Sequence, residues 1–198
     1  MRSNVMGTGM SSEVASKEGR AAFGSYETWY RISGDLDTDK PPVVILHGGP
    51  GAAHNYVDAY KHLARRDRAV IHYDQLGCGN STLLPEKGAD FWTPRLFIDE
   101  LENLVDHLGI RAGFHVLGQS WGGMLGAEYG VTRPNGLKSL TIANSPASMK
   151  LWGFCHLNCV IVASSETVLV ISNIAYEWCA SAGAPTNASA GSSQRLTE

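Results

Sequence analysis

The chain has 198 residues, with 16 basic and 19 acidic side chains for a formal charge of −3. That length fits one domain, and a balance without any basic block argues against nucleic acid or an anionic membrane surface as partner. The first ten residues lack the apolar core of a signal peptide. The longest hydrophobic region, residues 157–174, is broken by Ser164-Ser165-Glu166-Thr167 and is too short on either side to span a bilayer, so a cytoplasmic protein is expected.

In chain order, residues 1–22 are small, polar and aperiodic, and are expected to be a disordered N-terminal segment. Strands are predicted at Glu27–Ile32, Val43–Leu46, Ala69–Tyr73, Phe114–Leu117 and Ser139–Ala143. Val43–Leu46 is a continuous apolar run bounded by turn residues, the signature of a strand buried on both faces. Thr93 and Pro94 mark a helix start, and Phe97, Leu101, Leu104, Val105 and Leu108 follow helical spacing until Gly109 stops it. Helix formers Met124 to Glu128 follow the fourth strand. Strands alternating with helices predict an α/β fold, a mainly parallel sheet with helices on both faces.

Three loops carry chemistry. Gly118-Gln119-Ser120-Trp121-Gly122 sits between the strand ending at Leu117 and the next helix. This is the nucleophile-elbow pattern, in which a serine is exposed on a strained strand-to-helix turn. His47-Gly48-Gly49-Pro50-Gly51 closes the second strand, and its small residues let backbone N–H groups turn toward one point. An acyl-transfer enzyme needs such donors for the negative oxygen of its tetrahedral intermediate, each worth about 3 kcal/mol. Asp74-Gln75-Leu76-Gly77-Cys78-Gly79-Asn80-Ser81 follows the third strand.

Together and in this order, the three loops resemble the proline iminopeptidase-like family of α/β-hydrolases across residues 26–152. The resemblance implies Ser120 as nucleophile and the backbone N–H groups of Gly49 and Trp121 as oxyanion donors. It implies a loop-organising role for Asp74, no cofactor or metal, and a small peptide or amide substrate with an N-terminal residue, often proline, as the group released. An esterase or amidase of the same fold is the alternative, because the same front half serves either leaving group. Dehalogenases and epoxide hydrolases of this fold need an aspartate where Ser120 stands.

The later sequence departs from that pattern. A serine elbow needs a base and an orienting carboxylate, in the order Ser, acid, His. After Ser120 the sole histidine is His156, and only Glu128 precedes it in the required order. Glu128 lies two turns into the elbow helix, which carries it away from the reaction centre. Only Glu166, Glu177, Arg195 and Glu198 carry charge after Lys150. Residues 153–198 are therefore expected to be a divergent, poorly ordered tail, with the lid and last strands of the fold missing. The chain alone is expected to be inactive, and a non-catalytic product is the reading from another class.

The strand at Ser139–Ala143 would then be an edge, and Val160–Val162 with Val168–Ile171 could cover it as a hairpin. His54, His62 and His107 are expected to be solvated, and His72 and His115 to be core histidines. Cys155, His156, Cys159 and Cys179 are poorly spaced for a metal. Asn80 and Asn187 match glycosylation acceptors that mean nothing without secretion.

Overall fold

The structure, a computed structural model, describes residues 14–145, 159–164 and 168–172. Its strands are β1 (Ser16–Phe23), β2 (Tyr26–Ser33), β3 (Val43–Leu46), β4 (Val70–Tyr73), β5 (Phe114–Gln119), β6 (Leu137–Ala143), β7 (Cys159–Ser164) and β8 (Val168–Ser172). Among the described residues the α-helices are α1 (Pro94–His107) and α2 (Trp121–Val131). A 3₁₀-helical stretch covers His54–Arg66. The eight strands form one sheet in the order β1-β2-β4-β3-β5-β6-β7-β8. The four central strands β4, β3, β5 and β6 run parallel, and the pairs on either flank are antiparallel.

Alternation along β3 explains the layers. Val44 and Leu46 face one way, into a core with Ile71, Tyr73, Val116 and the α1 residues Phe97, Leu101, Leu104 and Val105. Val43 and Ile45 face the other way, against Val57 and Ala64 of the 3₁₀ stretch. Helical elements thus cover both faces, as a run apolar on every residue requires. Burying a Leu or Val side chain of α1 contributes about 1.5–3 kcal/mol. The helix begins as expected: Thr93 is extended, and its hydroxyl accepts from the Leu96 N–H at 3.2 Å. It ends at His107, and Gly109, with φ of 67°, turns the chain away just beyond the Leu108 cap.

Residues 16–22 correct the expectation of disorder. They form β1, which pairs with β2 from Ser16 opposite Ser33 to Phe23 opposite Tyr26. Composition alone missed this because most of the strand's side chains are exposed and its order comes from hairpin pairing with the adjacent β2. Ala21 is fully buried, and the backbone groups on one side of the strand pair with β2. At the other flank, β7 pairs antiparallel with β6 and β8 with β7. The hairpin expected over the open edge is present, which leaves strands within the segment 153–198 that was expected to be poorly ordered. The remainder of that segment, with His156 and Cys179, lies outside the described residues. Among the described residues, no helix is long and apolar enough to cross a membrane, and no cluster of ligating side chains could hold a metal.

Candidate active site

β5 runs one residue short of Ser120 and α2 starts one residue after it, so Ser120 occupies the turn itself. Its backbone lies at φ 54°, ψ −120°, a region that costs a non-glycine residue about 1–3 kcal/mol. The surroundings hold it there. The Ser120 N–H donates to Ala143 O at the end of β6. Its carbonyl accepts from Gly123 N, Met124 N and the Ser145 hydroxyl, the last at 2.8 Å. The flanking glycines are required by close approach: a Cβ on Gly118 would collide with the Gly122 carbonyl, and one on Gly122 with the carbonyls of Leu46 and His47.

That second collision places the His47–Gly51 loop at the same end of the sheet as the elbow. A Cβ on Gly48 would lie 3.0 Å from the Ser120 Cβ. Tyr56 joins the two loops, because its hydroxyl accepts from Gly48 N–H and donates to Gln119 Oε1. Burial pushes the Tyr56 phenol up, so it keeps the proton it donates. The Gly48 N–H is thereby occupied. Gly49, with φ of 125°, is exposed beside it.

The third loop ties these together from below. Asp74 is fully buried, and its carboxylate accepts from His54 N at 2.7 Å, Asn80 N at 2.8 Å and the His54 ring at 2.8 Å. This is a loop-organising carboxylate. His54, expected to be solvated, instead leans on Asp74 and packs on the Trp29 ring 4.3 Å away. Its polar sequence neighbours gave no sign of a partner twenty residues on. His62 and His107 are exposed as expected. His72 is buried, donating to Val57 O, and His115 is bonded to the Ser139 hydroxyl. Burial holds the His72 pKa down to about 4.

Gln75 stands in the third loop's motif, but the sequence assigned it no role of its own. Its backbone N–H donates to His47 Nε2 at 2.9 Å, and its side-chain amide donates to His47 O at 3.1 Å. Its Oε1 accepts from the Trp121 indole at 3.0 Å. His47, fully buried, is therefore neutral, with Nδ1–H donating to Gly48 O; burial lowers its pKa, in keeping with that form. Beneath this loop, Glu100 accepts from the Thr28 hydroxyl and from Leu76 N, and burial raises its carboxyl to about 7.

The structure thus gathers Ser120, Trp121 and the Gly48–Gly49 turn at one end of the central strands. Among the described residues, the Ser120 hydroxyl has no hydrogen-bonded imidazole. His156 lies outside them, and the His54–Asp74 pair serves the third loop. Glu128 lies two turns along α2 and is exposed.

Residues 41–158 match the alpha/beta hydrolase fold family. The chain belongs to that family. A proline iminopeptidase of Lactobacillus helveticus is 46% identical over 137 residues, which are 68% of this chain and 46% of that relative. Among solved structures, VinJ is 57% identical with a TM-score of 0.68, covering 69% of this chain and 46% of that one. The proline iminopeptidase of Mycobacterium smegmatis is 55% identical with a TM-score of 0.66 over the same shares. The chain spans less than half the length of the curated relatives it matches.

Proposed function

We propose that the chain is the front part of a serine hydrolase that releases an N-terminal residue, typically proline, from a peptide or amide. One observation carries the reading: Ser120 stands at positive φ on a strand-to-helix turn, with the glycine loop after β3 packed against it. The similarity to proline iminopeptidases supplies the substrate class.

In this reading Ser120 Oγ attacks the carbonyl carbon, and the carbonyl oxygen takes the negative charge. The N–H of Trp121, first in α2, and that of Gly49 donate to this oxygen. The helix N-terminus adds its dipole in the same sense. Gly48 N–H is already bonded to Tyr56, which leaves the exposed Gly49 amide as the loop's free donor. Collapse of the tetrahedral species expels the amine of the remaining peptide and leaves an acyl-serine, which water hydrolyses.

Both steps need a base to take the serine or water proton, and a carboxylate to orient that base. Residues 14–145 offer Ser120 neither, so the 198-residue chain is proposed to be inactive by itself. Loss of a triad member typically costs about 10⁴–10⁶ in rate. The test is hydrolysis of a proline arylamide by the 198-residue chain, by its Ser120→Ala variant, and by a longer chain joined to the acid- and histidine-bearing half of a relative. The expected result is equal background in the first two and activity in the third. Strong Ser120-dependent turnover by the short chain would refute its inactivity, and no turnover by the long one would refute the serine hydrolase.

A further inference from the structure

We infer that Gln75 is a positioning residue that fixes the distance between the two halves of the oxyanion site, an assignment that rests on reading Ser120 as the nucleophile. An oxyanion hole made from two loops works only if both amides point at one place, and each donor is sensitive to shifts of a few tenths of an ångström. Here the loops belong to different strands, β3 and β5. Above the strand ends, Tyr56 and Gln75 are, among the described residues, the side chains that bond to both.

Of the two, Gln75 has the rigid anchorage. Tyr56 is 49% exposed, whereas Gln75 is 1% exposed. Its own loop is pinned on each side, by Asp74 to His54 and Asn80 and by Glu100 to Leu76 N. From that fixed base the side-chain amide reaches in two directions. The NH₂ end holds His47 O, one residue before the Gly48–Gly49 turn, and the carbonyl end holds the indole of Trp121, whose backbone N–H is the second donor. The backbone N–H adds a third bond to His47 Nε2, which selects the Nδ1–H tautomer and lets that ring hold Gly48 O. A primary amide suits this place because it donates at one end and accepts at the other. A carboxylate would keep the Trp121 bond and lose the His47 one, and a thioether would lose both.

That difference gives the test. Amide and indole hydrogen exchange is followed by NMR in the ¹⁵N-labelled 198-residue chain and in Gln75→Glu and Gln75→Met. In Gln75→Met the Trp121 indole and the Gly48 amide are both expected to exchange at least about tenfold faster. In Gln75→Glu only Gly48 is expected to do so. In both, the ladder amides of Val44 and Val116 keep their rates, and the Gly49 and Trp121 backbone amide resonances move. Unchanged Gly48 and Trp121 exchange in Gln75→Met overturns the inference, as does acceleration of the ladder amides by the same factor. If Gln75→Met does not fold, Gln75→Glu decides alone, through faster Gly48 exchange with a protected Trp121 indole. The readout needs no turnover, so it stands or falls separately from the arylamide assay.

Discussion

Beneath α1 the sheet meets its helix through Phe97, Leu101, Leu104 and Val105, packed on Val44, Ile71 and Val116, all side chains without a polar atom. Above the ends of the same strands, His47, Asp74 and Gln75 are equally buried, yet they are held by hydrogen bonds of 2.7–3.1 Å. The apolar layer contributes free energy in proportion to area and tolerates small shifts. The polar end contributes little net free energy per bond, about 1 kcal/mol. It fixes direction instead, and direction is what a turn presenting Ser120 requires. Stability and geometry are thus assigned to opposite ends of the same strands.

The comparison is broken hardest at the elbow. Gly122→Ala forces a methyl group into the carbonyls of Leu46 and His47. It is expected to destabilise by more than about 4 kcal/mol or to prevent folding, as read by urea unfolding. Leu101→Ala attacks the apolar layer. It should cost about 2–5 kcal/mol and leave the Trp121 indole protected from exchange up to its lower global limit.

A third experiment uses pH to separate the two regions. Glu100 in the folded state has its pKa raised to about 7 by burial, from 4.5. The folded protein therefore holds an extra proton between these values. Its contribution is fully present below about pH 4.5 and is lost as pH rises through about 7. His72 works in the opposite sense, with its pKa lowered from 6.5 to about 4 by burial. Its contribution is present above pH 6.5 and is lost as pH falls toward about 4. Glu100→Gln should remove the first slope, on the order of 1–3 kcal/mol. Stability measured from pH 4 to 8 would then fall only on the acid side. The smallest effect is at the helix start: Thr93→Ala removes the cap on Leu96 N and should cost about 1 kcal/mol.

What the sequence made legible follows the same division. The apolar periodicity of α1, the buried run of β3 and the Gly-x-Ser-x-Gly turn are local patterns, and each appears where the spacing put it. Ser120 falls between β5 and α2, and the glycine loop lies against it. Of the valine-rich runs expected to form a hairpin, β7 pairs with β6 and β8 with β7, because an open edge and a β-branched run are complementary. The roles of Gln75, Tyr56 and the buried Glu100 were illegible, because partners such as Gln119 for Tyr56, Trp121 for Gln75 and Thr28 for Glu100 lie 46 to 72 residues away and no spacing announces them. β1 was missed for a different reason: its partner β2 is the next segment of chain, but its own residues are mostly exposed and polar and carry no apolar alternation. His54 was misplaced in solvent because its carboxylate partner belongs to another loop.

The central claim is that the elbow presents Ser120 as a nucleophile, and covalent capture tests it most directly. The longer chain, carrying a relative's acid and histidine, would be treated with a fluorophosphonate and the modified peptide mapped by mass spectrometry. The account predicts one phosphonate per chain on the peptide that contains Ser120, and none in Ser120→Ala. Labelling at another residue, or an active long chain whose Ser120 stays unmodified, would contradict it.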